Sequence, residues 1–512
     1  MSNLKLKFKI QSFNFGLEEI VVWFLLILSF LITRLVNLTI IPVFVDEAIY
    51  IRWAQVMRAE NTLRFLPLSD GKQPLFMWLI IPFLKIFRDP LVAGRIVSVL
   101  SGLGTMAGMF VLSYFLFEST CFAALASIFY LVSPFAFFFD RMALADGLLS
   151  FLGVWFLIFA VWLAKKTRLD LAMIAGILLG LGLITKSPAI FFAFLLPITV
   201  LFSDFKKKAW VTKLGKLVIL WGVIYLFGLA IYNILRLGPE FQMIALRNRD
   251  YIFPITEVFK HPLNPFWENF KSIINWFWIF GTPPVFLLGL LGILGMLGKE
   301  FKKGIFLLIC FLLPLLAQSA VAKVFTARYV LFSLPIFLIF VTYALETILG
   351  AKIKWLAIIF SLAIFIFPIY EIYLLLSDPA KAWLPQNERN GYLEMWTAGY
   401  GIKEASIYLR KVAEKQKVLV GTEGYFGTLP DGLQIYLEKV PNITIIGVGY
   451  PIKEIPEKLV NGLIDNRVFL LVNDSRFEVK KTDRLKLVTQ YPKAENLKIG
   501  QRENLLFFEV LR

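Results

Sequence analysis

The chain has 512 residues, 58% hydrophobic and 17% charged, with a mean hydropathy of +0.72; a soluble protein of this size cannot hide so much apolar surface. Its formal charge of +17 comes from 53 Lys and Arg against 36 Asp and Glu. Much of that excess lies in short loops between apolar runs, which points to membrane orientation, and no basic-aromatic nucleic-acid module accompanies it. Cys121 and Cys310 both sit in apolar runs and His261 is the single histidine, which argues against a disulfide framework and against a His/Cys zinc site.

Apolar runs of membrane-spanning length recur along the chain. They are Leu17–Leu38, Leu91–Phe117, Cys121–Phe139, Ala145–Ala164, Leu169–Ile184, Pro188–Phe202, Leu214–Leu235, Ile273–Leu297, Gly304–Ala320, Tyr329–Leu349 and Trp355–Leu376. The hydropathy criterion thus gives about eleven transmembrane helices. The first run lacks a small-residue cleavage site and reads as a retained signal anchor. The fifth and sixth are short and read as two spans or as one kinked or re-entrant unit.

Basic residues set the orientation. Lys5, Lys7 and Lys9, then Lys165, Lys166 and Arg168, then Lys206, Lys207, Lys208 and Lys213, then Lys299, Lys302 and Lys303, then Lys352 and Lys354 all fall on one side of an eleven-helix chain. That side, with the N-terminus, is expected to be cytoplasmic. The outer side then holds the first loop (39–90), the turn Asp140–Leu144, the turn Thr185–Ser187, the loop Arg236–Ser272, the segment Lys323–Arg328 and the tail. The first loop is itself basic, and Ala48–Ala59 and Pro74–Phe87 in it read as interfacial helices.

From Ser377 the composition becomes that of a soluble domain. Helices are expected at Glu404–Glu414, Leu433–Lys439 and Ile455–Leu463, and strands at Lys417–Gly421, Ile443–Val448, Val468–Val472, Leu485–Thr489 and Leu505–Val510. This alternation predicts an α/β layer with a partly parallel sheet. The fold expected is therefore a polytopic α-helical membrane domain (1–376) followed by an extracytoplasmic α/β domain (377–512).

Transfer of a sugar from a polyprenyl phosphate needs a base for the acceptor hydroxyl and cations for the leaving phosphate, all at the membrane–water boundary. The outer loops supply Asp46, Glu47, Lys72, Arg141, Asp146, Lys186 and Arg328, with Tyr50 and Tyr329 beside them. Asp46 or Glu47 is the expected base, although Asp46 also fits the N-cap of a helix over Glu47–Met57. Lys72 suits a phosphate, or an interfacial lysine snorkelling to water. Arg141 fits an ion pair with Asp140 or Asp146 as well as a substrate contact, and Arg328-Tyr329 also fits an aromatic-belt anchor. No Asp-x-Asp motif stands near Asp46, so no metal or other cofactor is indicated, although a carboxylate-held divalent ion is compatible with the residues. A transporter or lipid flippase is the competing class; it would place paired charges near the bilayer midplane and show repeat symmetry, and the chain has no internal repeat.

Five motifs follow one another: Asp46-Glu47-Ala48-Ile49-Tyr50, Asp70-Gly71-Lys72-Gln73-Pro74-Leu75 with Trp78, Gly94-Arg95-Ile96-Val97-Ser98, Arg141-Met142-Ala143-Leu144-Ala145-Asp146 and Thr185-Lys186-Ser187-Pro188. Their order and spacing resemble the protein O-mannosyltransferase type of the GT-C glycosyltransferases, to which the lipid A aminoarabinose transferases are closely related. The resemblance covers the chain up to about Pro197. Beyond that only Arg328-Tyr329 with Pro335 is similar, and Trp396–Gly401 looks like the start of the outer domain of some prokaryotic members. It implies an inverting transferase with a polyprenyl-phosphate sugar donor and a hydroxyl or phosphate acceptor on a protein, lipid or glycan at the outer face. It implies Asp46 as the catalytic carboxylate and Lys72 as the contact to the carrier phosphate. The family's usual Lys-Pro-Pro-Leu is here Lys72-Gln73-Pro74-Leu75, which keeps the lysine and alters the turn.

Overall fold

The computed structural model describes residues 17–203, 210–350, 354–480 and 482–512. Lys5, Lys7, Lys9, Lys206, Lys207, Lys208 and Lys352 lie outside the described residues. The first four long helices are α1 (Leu17–Leu35), α2 (Val45–Ala59), α3 (Leu75–Ile86) and α4 (Pro90–Phe117).

Among the described residues five helices have the length and hydropathy of a full crossing: α4, Ala145–Lys166, Trp210–Leu237, Phe301–Val321 and Ala327–Leu349. Two more expected spans are bent pairs, Thr120–Leu131 with Pro134–Asp140 at 62° and Phe266–Ile279 with Pro283–Lys299 at 113°. Ile20–Leu35, Leu169–Leu183, Ser187–Phe202 and Ser361–Ser377 are shorter apolar helices. Each of the eleven runs is thus helical, but only five to seven meet the criterion for crossing. The single span expected over Ile273–Leu297 is corrected to two helices. Pro283 opens the second of them, and a residue before proline is driven out of the helical region. Thr282 accordingly has an extended ψ of 142°, and it also stands at φ +68°, where the chain turns between the two helices.

Membrane helices associate through small residues that let backbones approach. Gly104 of α4 shows this: a Cβ there would stand 2.6 Å from the ring of Phe151 on the Ala145–Lys166 helix. At one end of this pair Lys165 donates to the Phe115 carbonyl at 3.0 Å, and Lys303 sits 5.0 Å over the Phe117 ring. Arg95 and Asp146 occupy the opposite end, about 33 Å away at 1.5 Å rise per residue over the 22-residue helix. Polar chemistry and basic turns therefore sit at opposite poles of the bundle.

The tail forms a five-stranded sheet in the order β2-β1-β3-β5-β4. Its strands are β1 (Val418–Thr422), β2 (Ile443–Gly447), β3 (Arg467–Asn473), β4 (Leu485–Pro492) and β5 (Asn504–Val510). β1 pairs in parallel with β2 and β3, whereas β5 runs antiparallel to β3 and β4. Alternate residues of β1 and β3 face opposite layers. Val420, Phe469 and Leu471 join the core that continues into the membrane helices, and Leu419, Leu470 and Val472 join a smaller cluster with Leu459.

The tail is not remote from the first loop. Val45 N–H donates to the Thr397 carbonyl at 3.2 Å and Gly399 N–H to the Val43 carbonyl at 2.9 Å. A Cβ on Gly399 would lie 2.5 Å from that Val43 oxygen, so the close approach depends on glycine. The tail helix Thr428–Leu437 then covers α2: Gln55 donates to the Ile435 carbonyl at 2.9 Å, Arg52 to Gln434 at 3.0 Å and Arg58 to Glu438 at 2.7 Å. The apolar face expected of α2 is thus taken up by protein and not left for lipid. Its apolar residues Ile49, Ile51, Trp53 and Met57 are buried between the tail and the bundle.

Candidate active site

The acidic pair opens α2. The helix begins at Val45, two residues earlier than the sequence suggests, with Phe44 extended at the cap position. Asp46 is therefore not the N-cap; Glu47 accepts from the Phe44 N–H at 3.0 Å and ties off the helix start instead. The two carboxylates point to different places.

Glu47 is buried and saturated. It takes a bidentate pair from Arg95 at 2.8 and 2.7 Å and a further bond from Ala143 N–H at 2.6 Å. Arg95 donates its other hydrogens to the carbonyls of Leu38, Ile41 and Pro42. This closed network fixes the chain between α1 and α2 to α4 and leaves Glu47 no lone pair aimed at a substrate.

Asp46 instead faces a cluster of cations. Arg328 donates to it, and the Lys72 ammonium stands 3.9 Å away. Burial alone would raise the Asp46 carboxyl, but Arg328 and Lys72 outweigh it and hold the group down at about 2. Lys72 also lies 3.3 Å from Asp70 and 5.8 Å over the Tyr50 ring. Burial opposes its charge, yet the carboxylates of Asp46 and Asp70 beside it raise its affinity for the proton above that of a free lysine. Burial pushes the Tyr50 hydroxyl up, so it stays protonated.

Local structure explains how these groups meet. Gly71, at φ +68°, ends the turn 66–70, and a Cβ on it would lie 2.6 Å from the Arg247 Cβ. Arg247 reaches past it to Asp70 at 2.7 Å, bringing the long 236–272 loop onto the site. Gln73 donates to Ser187 at 2.8 Å and Leu75 N–H to the Ile184 carbonyl at 3.1 Å, which binds the lysine turn to the Lys186 turn. Gln73, the departure from the usual proline, is thus used as a donor.

Lys186 pairs with Asp146 at 2.5 Å and lies 4.2 Å over the Tyr329 ring. Burial lowers the Lys186 ammonium to about 8; Asp146 opposes this and Arg328 adds to it. Arg328 lies 5.4 Å over the same ring and 5.7 Å over Phe44. Its Nε and Nη1 are buried without a hydrogen-bond partner. Unpaired buried guanidinium hydrogens are costly, and an anion is the partner they fit.

Asp46, Tyr50, Lys72, Asp146, Lys186, Arg328 and Tyr329 therefore stand together, whereas Glu47 and Arg141 do not. Arg141 makes neither expected ion pair. Its guanidinium caps the end of α1 through the carbonyls of Thr33, Arg34, Val36 and Asn37. Asp140 pairs with Arg34 at 3.4 Å and accepts from Tyr130 at 3.0 Å. Sequence reasoning missed Arg247 and Glu388. Glu388 is buried and accepts from Ala327 N–H at 2.7 Å, beside Arg328. Burial raises it to about 7 against that hydrogen bond. A lone Glu in a polar stretch far along the chain carries no local signal for this placement. Among the described residues no group of three or more His, Cys, Asp or Glu is arranged to hold a metal ion.

Residues 71–232 match the family model of dolichyl-phosphate-mannose-protein mannosyltransferases. That segment contains Lys72, Asp146 and Lys186 but neither Asp46 nor Arg328. No curated protein matches the chain in sequence. The structure is similar to that of ArnT from Cupriavidus metallidurans in the apo state, with TM-score 0.55 and 13% identity, over 95% of this chain and 97% of that one. The same protein bound to undecaprenyl phosphate gives TM-score 0.55 and 14% identity over the same shares. The chain has the fold of that ArnT. It is an integral membrane protein whose helical part carries this fold and whose tail adds the sheet.

Proposed function

We propose that the chain is an inverting glycosyltransferase, moving a sugar from a polyprenyl-phosphate carrier to a hydroxyl acceptor at the outer face of the membrane. The observation that carries this reading is the Asp46 centre itself: one carboxylate ringed by Arg328, Lys72 and Lys186, with two guanidinium hydrogen-bonding atoms of Arg328 left unpaired. The ArnT structure of this fold that holds undecaprenyl phosphate supports a carrier of that class. The transporter reading loses its support, because the fold is that of glycosyltransferases and the charges stand at helix ends.

The carrier phosphate binds Arg328 and Lys72, with Lys186 beside them. The acceptor oxygen attacks the anomeric carbon from the face opposite the phosphate. The bond from that carbon to the phosphate oxygen breaks as the new one forms, so configuration inverts. The acceptor proton passes to Asp46. A carboxyl held near 2 by two cations is a poor base. Once the phosphate draws Arg328 and Lys72 to itself, Asp46 recovers basicity, so donor binding arms the base. Asp46 is the catalytic residue in this reading, and Glu47 and Arg141 hold the frame. The basic turn at Lys165 and Lys303 lies at the pole away from this centre, which supports a cytoplasmic side there and an outer location for the site and tail.

The test is transfer by purified protein in nanodiscs, offered a panel of polyprenyl-phosphate sugars with membrane extract as acceptor. Wild type is expected to release free carrier phosphate and Asp46→Asn to bind the carrier without turnover. Equal turnover by both would remove Asp46 from the role of base. Saturable carrier binding with no turnover of any donor would overturn the enzyme reading.

A further inference from the structure

The tail contains a second cluster of polar and aromatic groups, at the carboxyl ends of its parallel strands. In the order β2-β1-β3 the connection from β1 leads to one neighbour and the next strand returns on the other side. That reversal lies at the ends of β1 and β3, the place where open α/β sheets bind ligands. Glu423 follows β1 directly and ties it to the end of β3, accepting from Asn473 N–H at 2.8 Å and from its side-chain amide at 2.7 Å. Arg476 approaches Glu423 at 3.8 Å. The Asn473 side-chain oxygen is buried and has no hydrogen-bond partner.

Aromatic faces surround this polar floor. Arg476 is layered between Trp396 at 3.6 Å and Tyr450 at 4.3 Å. Tyr450 is 63% exposed and Tyr425 78%. The loops carrying these tyrosines are bridged at Gly424 and Gly449, and a Cβ on Gly447 would meet the Gly424 oxygen at 2.3 Å. The loop after β1 also reaches α2, since the Phe426 ring packs against Trp53 with centroids 5.8 Å apart.

We propose that this edge is a carbohydrate-binding subsite, so that the acceptor is a glycan; the word acceptor rests on the transferase reading above, but the binding site does not. Exposed rings beside a mixed set of carboxylate, amide and guanidinium are what a pyranose needs, with its apolar face on an aromatic ring and its hydroxyls on paired donors and acceptors. An aromatic belt lying on lipid would require only the rings and not the buried polar floor.

The test uses the full chain in nanodiscs, titrated by calorimetry with chitotetraose, mannotetraose and tetragalacturonate. At least one is expected to bind saturably, with affinity reduced tenfold or more in Tyr450→Ala and Tyr425→Ala, whose exposed side chains make misfolding no explanation. Asp46→Asn should bind the oligosaccharide as wild type does. Donor hydrolysis without acceptor should be unchanged in Tyr450→Ala, so failure of the transferase reading and failure of the subsite give different results. Absence of saturable binding by all three sugars, or binding indifferent to both tyrosine variants, would overturn the proposal. Protection of a Tyr450→Cys variant from a water-soluble maleimide in nanodiscs would overturn it too, and assign the face to the bilayer surface.

Discussion

Asp46 and Glu47 are neighbours in the chain and opposites in their surroundings. Glu47 has every oxygen engaged, by Arg95, Ala143 N–H and Phe44 N–H, and is closed from solvent. Asp46 is held by side chains that have other uses: Arg328 with spare hydrogens, and Lys72 at a loose 3.9 Å. The difference separates a carboxylate that builds a site from one that can react in it. Fixed backbone partners cannot leave when a ligand arrives, whereas mobile cations shared with a phosphate can.

Substitutions at the pair sharpen this contrast most. Asp46→Asn should lower turnover by roughly 10²–10⁴-fold while leaving thermal stability and carrier binding near wild type, measured by carrier release and by melting in nanodiscs. Glu47→Gln should do the reverse. It leaves a buried guanidinium short of its countercharge and should cost about 3–5 kcal/mol of stability, read as a lowered unfolding midpoint with turnover per folded molecule retained. If Glu47→Gln abolished turnover in fully folded protein, the division of labour would be broken.

A paired change probes the same network from both sides. Arg95→Met with Glu47→Leu removes both buried charges, but it strands the N–H groups of Phe44 and Ala143 and the carbonyls of Leu38, Ile41 and Pro42. The double variant should therefore stay below wild type by about 1–3 kcal/mol for each stranded group, on the same melting assay. Recovery to wild-type stability would show that the backbone bonds carry little.

Lys186 gives the smallest signature, a pH dependence. Burial lowers its ammonium from the ordinary 10.5 to about 8, so its charge is lost as pH rises through about 8. The kcat/KM for donor should fall across that range, and Lys186→Arg should move the alkaline limb upward because guanidinium keeps its proton. The linked stability runs the other way. A cation whose proton is held less tightly in the folded state than in the unfolded one weakens the fold below about 8, and that cost is relieved between about 8 and 10.5.

The helices and strands were legible because their signals are local. The tail strands and helices fall close to the expected residues, and Asp46, Lys72, Asp146, Lys186 and Arg328 were visible as charges at the ends of apolar runs. Their partners were not. Nothing near Arg141 in the chain indicates that it caps α1, and nothing near Glu47 names Arg95, since such pairings join segments far apart and leave no period to read. The break at Gly281-Thr282-Pro283 did carry a local signal, a proline after glycine and threonine inside an apolar run, and the hydropathy window passed over it. Docking of the tail by the 397–399 segment against 43–45 depends on backbone bonds, which composition does not reveal.

That docking has a consequence for how the protein is made. The segment that completes the surroundings of α2 is synthesised long after α2 itself, once the later helices of the bundle have formed. Through most of its biogenesis the molecule holds an unfinished centre, with the buried face of α2 still uncovered. The surroundings of α2 are complete only when the folded tail closes on the membrane part and the backbone bridges between 43–45 and 397–399 are made.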